Sequence, residues 1–247
     1  MLPKILIGIV LLIIGVISFG FLTKDNNSSP PPFTNNFTQN PRESGDEPPL
    51  KIKHIGVNFE DFVFSKDYLE AFETPFMGFG YVIPAEKSST GQNKANPQPT
   101  FILPLGTKVY AIVDGTVANI PTLWSNDLSI QITESGKMEK WVYEVEHVIN
   151  PKVTVGDKVR AGQEIAEVSN YDKNLKGFGI VEIGILKGGN LPSHVCPFAY
   201  LDPQVKEETV AKIKSLYKGW EEYIKSTSFY NEAEEVTGCV SLNPIDG

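Results

Sequence analysis

Short alternating segments separated by turn residues run from Leu50 onward, and they most constrain what this chain can fold into. Residues 108–113 alternate and are followed by Asp114-Gly115, which is typical of a tight turn into a second strand over 116–120. Side chains two positions apart share one face of a strand, so each segment can bury one face against a core. The pattern predicts a mainly β domain built from antiparallel hairpins. Further alternating segments are 128–133, 141–148 and 181–186.

Two segments in this part of the chain depart from the strand pattern. Residues 86–99 are polar and contain Gly and Pro, so we expect a mobile surface loop there. From Gln204 to Tyr223 apolar residues recur at spacings of three and four, which predicts an amphipathic helix that begins beside Pro203. The predicted boundaries are therefore 50–203 for the β domain and 204–247 for a C-terminal helix and tail.

An apolar run near the N-terminus predicts a membrane anchor. Residues 5–22 carry no charged side chain, and at about 1.5 Å per residue their helix would approach the thickness of a bilayer core. A cleaved signal peptide is the alternative, but its apolar region would be shorter and would end in small residues. Here the run ends in large residues, so we favour a retained transmembrane helix over 1–23.

The segment 24–49 is rich in Asn, Ser and Pro, a composition that cannot bury a core and predicts a disordered linker. It contains three N-glycosylation sequons, at Asn26, Asn27 and Asn36. These sequons agree with a location outside the cytoplasm for the bulk of the chain. We therefore expect a membrane-anchored glycoprotein whose β domain is held away from the bilayer.

Charge and cysteine content limit the classes of partner and site. The formal net charge of -8 argues against nucleic acid as a partner, because phosphate binding needs a basic surface. The two cysteines, Cys196 and Cys239, are far apart in sequence and form no C-x-x-C motif. In an oxidising compartment they would form a disulfide that fixes the tail, and two unpaired thiols are the alternative.

Four segments, in the same order and with similar spacing, resemble the lysostaphin-type (LytM-like) zinc endopeptidases. Residues 105–117 (LGTKVYAIVDGTV) resemble the G-T-P-V-Y-A-A-A-D-G-T-V strand pair of that family, and 147–166 resemble its H-L-…-V-x-x-G-D-x-V-x-x-G-Q-x-I-G segment. Residues 181–186 match its final strand, and 196–201 (CPFAYL) resemble the N-P-x-x-Y-L that ends its domain. Biotinyl and lipoyl carriers share the second hairpin but need a modifiable lysine in a tight turn, which is absent here. The resemblance implies a barrel-sandwich-hybrid-like β domain.

The family resemblance implies a zinc ion held by three protein ligands, yet the matching positions here lack donor atoms. In the family's H-x-G-x-D element the two ligand positions correspond to Gly78 and Val82. In its H-x-H element the two histidine positions correspond to Phe178 and Ile180. None of these side chains can bind zinc. We therefore expect a pseudoenzyme with no metal, no cofactor and no catalytic residue.

His147 is the one residue that matches an active-site position of the family, the histidine that steadies the reacting oxyanion or water. It is a candidate for binding a polar ligand, with an ordinary hydrogen-bonded strand histidine as the alternative. Trp124, Tyr143 and Tyr81 are candidates to line a ligand groove, although such aromatic residues are more often core. A new zinc site would require His147, His194, Cys196 and a carboxylate such as Glu146 or Glu182 to converge, a spacing that repeats no known metal motif.

These observations favour a non-catalytic domain that binds or scaffolds at the cell envelope. Its expected partners are the membrane, through the N-terminal helix, and a cell-envelope polymer or another envelope protein. An active metallo-endopeptidase with atypical ligands is one alternative. A structural adaptor of an envelope complex is another, although such adaptors usually carry long coiled-coil hairpins.

Overall fold

The computed structural model describes residues 46–67, 72–88, 91–170, 175–231 and 234–246. The predicted anchor over 1–23, the linker up to residue 45 and the sequons at Asn26, Asn27 and Asn36 lie outside the described residues. Within the described ranges, no helix is both long enough and apolar enough to cross a bilayer.

Strands make up most of the regular structure, with one long helix near the C-terminus. A 3₁₀ turn at Phe59–Asp61 precedes the first strand, and a second at Pro197–Tyr200 precedes the helix α1, Pro203–Ile224. The mainly β prediction is thus confirmed, and the predicted helix is present. The strands are β1 Phe76–Met77, β2 Val82–Ile83, β3 Lys94–Ala95, β4 Thr100–Pro104, β5 Lys108–Tyr110, β6 Gly115–Asn119, β7 Leu128–Thr133, β8 Trp141–Ile149, β9 Lys158–Val159, β10 Glu164–Val168, β11 Phe178–Lys187, β12 Ser193–Val195 and β13 Ile245–Asp246.

The two longest strands, β8 and β11, form the centre of the main sheet. They pair antiparallel, with Glu182 opposite Glu146 and Ile185 opposite Tyr143. The strand order is β1-β4-β11-β8-β7-β6-β9, while β10 pairs with β5 and β8, and β12 pairs with β11 and β13. The strand predicted over 108–113 ends earlier, at Tyr110. The chain then leaves the ladder, and Ala111 bonds through its backbone to Gln163 and Gly162.

The two faces of the β8–β11 pair differ in chemistry, because the side chains alternate between apolar and acidic residues. One face contributes the apolar residues to the main hydrophobic core, where full burial of each is worth about 1.5–3 kcal/mol. The opposite face carries Glu144 and Glu146 from β8 and Glu182 from β11, which we call the acidic cluster. The core residues on the apolar face are Trp141, Tyr143, Val145, Val181, Ile183 and Ile185.

The helix α1 covers the other end of the face that carries the acidic cluster. It begins after Asp202, whose carboxylate accepts a hydrogen bond from the backbone of Gln204, and Pro203 occupies the first turn. It ends at Lys225, which adopts a left-handed conformation. Trp220 of α1 is fully buried. Its indole packs in a cluster with the apolar side chains Ile102, Leu175, Phe178 and Ile180.

The segment after α1 is tied back to the β domain. A disulfide joins Cys196 to Cys239. Phe79 and Cys239 form an isolated parallel bridge, in which the Phe79 amide donates to the carbonyl of Gly238 at 2.9 Å. Farther along, β13 pairs with β12. Helix and tail are therefore packed against the strands.

Candidate functional site

Three of the four positions that the motif comparison assigns to zinc ligands or catalytic histidines are covered by the C-terminal part of the chain. A side chain at Gly78 would place its Cβ 2.7 Å from the carbonyl oxygen of Gly238, closer than real contacts allow. Phe178 and Ile180 are buried in the apolar cluster around Trp220. The fourth position, Val82, lies on β2 and is 55% exposed. The structure thus places no donor atom at these positions and leaves no room for one at Gly78.

A β-bulge brings His147 to the acidic face beside Glu146. Leu128 of β7 pairs with Val148 of β8, but Ile130 pairs with Val145, so β8 carries one extra residue over this interval. His147 absorbs the irregularity with φ at 57°, a left-handed conformation that is uncommon for any residue other than glycine. Bulges of this kind re-aim side chains and are frequent next to functional sites.

His147 is held by a buried carboxylate. Its Nδ1–H donates to Asp127 at 3.0 Å, and Asp127 also accepts from the hydroxyls of Ser169, at 2.6 Å, and Ser125. The other ring nitrogen, Nε2, lies 3.8 Å from a carboxylate oxygen of Glu182. Burial opposes protonation of His147, but the bond to Asp127 and the charge of Glu182 outweigh it and raise the pKa of the imidazole above its ordinary value. The imidazole is therefore oriented with one nitrogen fixed and the other facing the acidic cluster.

The acidic cluster is closely hydrogen-bonded; Glu144 is buried, while Glu146 and Glu182 are partly buried. Glu144 accepts from Gln131 at 2.9 Å and from Nε2–H of His194 at 3.1 Å. Burial, together with the nearby charges of Glu144 and Glu182, raises the pKa of Glu146 to about 7. Burial likewise raises the pKa of Glu182. Carboxylates this close in a low-dielectric setting do not all ionise freely, so the cluster can hold a proton near neutral pH.

Gln98 and Thr100 complete this arrangement. With its amide nitrogen facing the carboxylates, Gln98 donates to Oε2 of Glu146 at 3.1 Å and to Oε2 of Glu182 at 3.3 Å. Thr100 donates to the other oxygen of Glu182 at 3.1 Å. Asn96 packs alongside and donates to Thr100. The prediction that 86–99 is a surface loop is wrong at its C-terminal end, because Asn96 and Gln98 are buried against the acidic face.

The other predicted site residues are not all brought together. Trp124 is 79% exposed and lies next to Ser125, in the loop that carries Asp127 to His147. Tyr143 does not lie on the acidic face: it is fully buried on the opposite face of β8, where its hydroxyl donates to the carbonyl of Leu50 at 2.8 Å. Tyr81 is partly buried before β2, and its backbone carbonyl accepts from Asn96.

The set of residues that a new metal site would require does not assemble. Cys196 is used in the disulfide, and His194 bonds to Glu144 rather than to His147. Across the described ranges, no group of three or more His, Cys, Asp or Glu side chains has a geometry that could hold a metal ion. What the site offers instead is a set of oriented carboxylates and an oriented imidazole on one face of the sheet.

Comparison with known proteins gives matches among solved structures alone. No family model matches the chain, and no curated protein matches it. The catalytic domain of the prophage-encoded M23 protein EnpA from Enterococcus faecalis, in a mutant form, is 22% identical, covers 51% of this chain and 92% of that chain, and has a TM-score of 0.36. The catalytic domain of lysostaphin from Staphylococcus simulans is 19% identical, covers 51% of this chain and 89% of that chain, with a TM-score of 0.37.

A third match is a chain from the SpoIIQ–SpoIIIAH pore forming complex, which is 14% identical, covers 65% of this chain and 96% of that chain, and has a TM-score of 0.38. With TM-scores below 0.5, nothing about activity is inferred from these likenesses. The solved structures that this chain resembles include M23, LytM-type peptidase domains, as its sequence motifs predict.

Proposed function

We propose that this protein is a non-catalytic, peptidase-like domain that binds or scaffolds at the cell envelope, held outside the cytoplasm by an N-terminal membrane anchor. The observation that carries the proposal is the state of the zinc-ligand positions, where Gly78, Val82 and Ile180 offer no nitrogen, oxygen or sulfur donor. Without three such donors a tetrahedral zinc has no protein ligands, and no water is polarised for attack on a peptide bond.

Packing around these positions supports the same conclusion. Ile180 is only 3% exposed and shares an apolar cluster with Trp220. A histidine at Gly78 would collide with the backbone of Gly238. Reacquiring metal ligands would therefore require displacement of the C-terminal region, and not just two or three substitutions.

The polar end of the same face supports a binding role. His147 is fixed by Asp127 in a strained backbone conformation. Strain of this kind costs about 1–3 kcal/mol and persists only where the surrounding structure enforces it. The side chain of Glu182 retains 20% exposure beside it, so solvent reaches the acidic cluster. A few oriented polar side chains beside apolar ones, with access to solvent, are a common feature of ligand sites.

Features outside the site support an extracytoplasmic location. The Cys196–Cys239 disulfide is of the type that persists in oxidising compartments and is rare in the cytosol. The apolar run 5–22 and the polar linker that follows it have the composition of an anchor and a spacer.

The proposal is tested by assaying one preparation of the full chain both for catalysis and for binding. We expect zinc well below one ion per chain and no chelator-sensitive cleavage of envelope peptides, but co-sedimentation with an envelope polymer fraction. Glu182→Gln should weaken that co-sedimentation, while Glu208→Gln, on the exposed side of α1, should leave it unchanged. Peptide-bond cleavage that a chelator abolishes and that His147→Ala removes would overturn the proposal.

A further inference from the structure

A single nitrogen atom sits between two carboxylates on the acidic face. The amide nitrogen of Gln98 lies 3.1 Å from Oε2 of Glu146 and 3.3 Å from Oε2 of Glu182. Each oxygen comes from a different strand, and the register places the two glutamates directly opposite one another. We propose that the Glu146–Glu182 pair is a binding site for a primary ammonium group of a ligand, which takes the place now held by the Gln98 amide.

The inference rests on the proposed binding function and names the ligand class of its site. The charges around the pair leave it short of cations. Asp127 and Glu144 add two more carboxylates on this side of the sheet, and the nearby histidines are His147 and His194. Lys94 of β3 acts on Glu182 at longer range. Buried carboxylates without matching cations are costly, and a ligand ammonium would offset the deficit.

Two buried polar atoms, one at the Glu146–Glu182 pair and one on the histidine that bonds Glu144, lack an ordinary hydrogen-bond partner among the described side chains. Ser129 lies on β7 and is fully buried. Its hydroxyl is near enough to Glu146 to favour the charged form of that carboxyl. No hydrogen bond of ordinary geometry, however, joins this hydroxyl to another described residue. His194 is 7% exposed, and its Nδ1 is also without a partner in the described chain. Buried polar groups are normally paired, so these two leave the network incomplete.

The residues around the Gln98 amide leave a defined space for it. A Cβ at Gly184, the residue opposite Glu144, would lie 2.6 Å from the end of the Gln98 amide, so glycine there leaves the space that this amide occupies. Gln98 enters this space from the short connection between β3 and β4, and not from the centre of a strand. A group that enters from a connection can be exchanged for a ligand without breaking the ladder of the main sheet.

The donor chemistry favours an ammonium over other cations. An ammonium presents three hydrogens around one nitrogen, which suits oxygens that converge from two strands. A guanidinium is planar and prefers both oxygens of one carboxylate. A metal ion is disfavoured, since no group of three protein ligands assembles within the described residues.

The test is an NMR titration of the full chain with Nα-acetyl-L-lysine methylamide, using the Nε-acetylated form as the uncharged control. We expect saturable shifts at β8 and β11 with the free amine and none with the control. Gln98→Ala should bind at least about tenfold more tightly, because the competing amide with its two bonds to carboxylates is gone. Glu182→Gln should weaken binding at least about tenfold, whereas Glu208→Gln should not change it.

Each outcome decides the inference. The absence of saturable shifts in both the native chain and Gln98→Ala would overturn it, as would equal shifts from the acetylated control. If Gln98→Ala does not fold, the native chain and Glu182→Gln still give the comparison. Loss of amine binding with retained co-sedimentation overturns this inference alone, while chelator-sensitive cleavage overturns the proposed function.

Discussion

Glu146→Gln should stabilise the protein at neutral and alkaline pH. The substitution keeps the size of the side chain and removes its charge from the acidic cluster. Burial and the charges of Glu144 and Glu182 raise the pKa of Glu146 from 4.5 to about 7. A carboxyl whose pKa is higher in the folded state than in the unfolded state opposes folding once the unfolded chain has lost its proton.

The pH window follows from these values. Below pH 4.5 Glu146 is protonated in both states, so the variant and the native chain should have similar unfolding free energies. Between pH 4.5 and about 7 the native chain loses stability through this group, and above that the difference is constant. The full shift corresponds to about 3 kcal/mol, and because the side chain is only partly buried we expect roughly 1–3 kcal/mol at pH 8.

His147 makes the unfolding free energy depend on pH in the same direction as Glu146. Its pKa is raised in the folded state, chiefly because the Asp127 bond and the Glu182 charge outweigh burial. The stability it supplies is present below its unfolded pKa and is lost as pH rises through the folded value. The contributions of Glu146 and His147 should therefore both decline from acidic to alkaline pH, and Glu146→Gln should remove the part that Glu146 supplies.

Urea unfolding of the full chain, followed by tryptophan fluorescence at pH 4, 6 and 8, measures the effect. Glu208→Gln is the matched control, because that carboxylate is exposed and pairs with Lys212 one turn along α1. Its loss should leave the unfolding free energy close to that of the native chain at every pH, because solvent screens an exposed ion pair. A Glu146→Gln chain that is less stable than the native chain at pH 8, or shifted equally at all three values, would refute the reasoning.

Three further variants test how the C-terminal region packs against the β domain. Gly78→Ala should lower the unfolding free energy by about 1–3 kcal/mol, since its Cβ would lie 2.7 Å from a backbone oxygen. Gly188→Ala is the control: its Cβ would lie 3.6 Å from the nearest atoms, so it should lower the unfolding free energy less in the same urea assay. Changing both Cys196 and Cys239 to Ser should lower the unfolding free energy by about 2–4 kcal/mol. Adding a reductant to the native chain should lower its melting temperature, and an unchanged melting temperature would contradict a loop closed across 43 positions. Trp220→Ala should cost about 3–5 kcal/mol by calorimetry, because the indole is fully buried, and a loss below about 1 kcal/mol would contradict that packing.

Local patterns in the sequence predict much of the sheet. The alternation over 141–148 and 181–186 corresponds to β8 and β11, whose observed bounds are Trp141–Ile149 and Phe178–Lys187. The spacing of apolar residues before Tyr223 corresponds to α1, which ends at Ile224. These features depend on neighbours within a few positions, and that is the range over which periodicity carries information.

The composition of the site was harder to predict, because it depends on which strands meet. Glu144 and Glu146 alternate with apolar residues, a pattern that also describes a strand with one face in water. The alternation did contain a usable signal: Tyr143 lies two positions from Val145 and therefore on the same strand face, so it belongs to the core and not to the acidic face. Gln98 gave no such signal, because its burial depends on carboxylates 48 and 84 positions farther along the chain.

The side chains at Gly78 and Ile180 and the packing of the C-terminal region are structurally linked. Gly78 can carry no side chain because the backbone of Gly238 lies against it. Ile180 is apolar because Trp220 covers it, and a histidine there would bury an unpaired imidazole in the apolar cluster. Polar residues persist on the part of this face that α1 leaves uncovered, around His147 and Glu182. The same covering therefore leaves the acidic end as the part of this face that a ligand could reach.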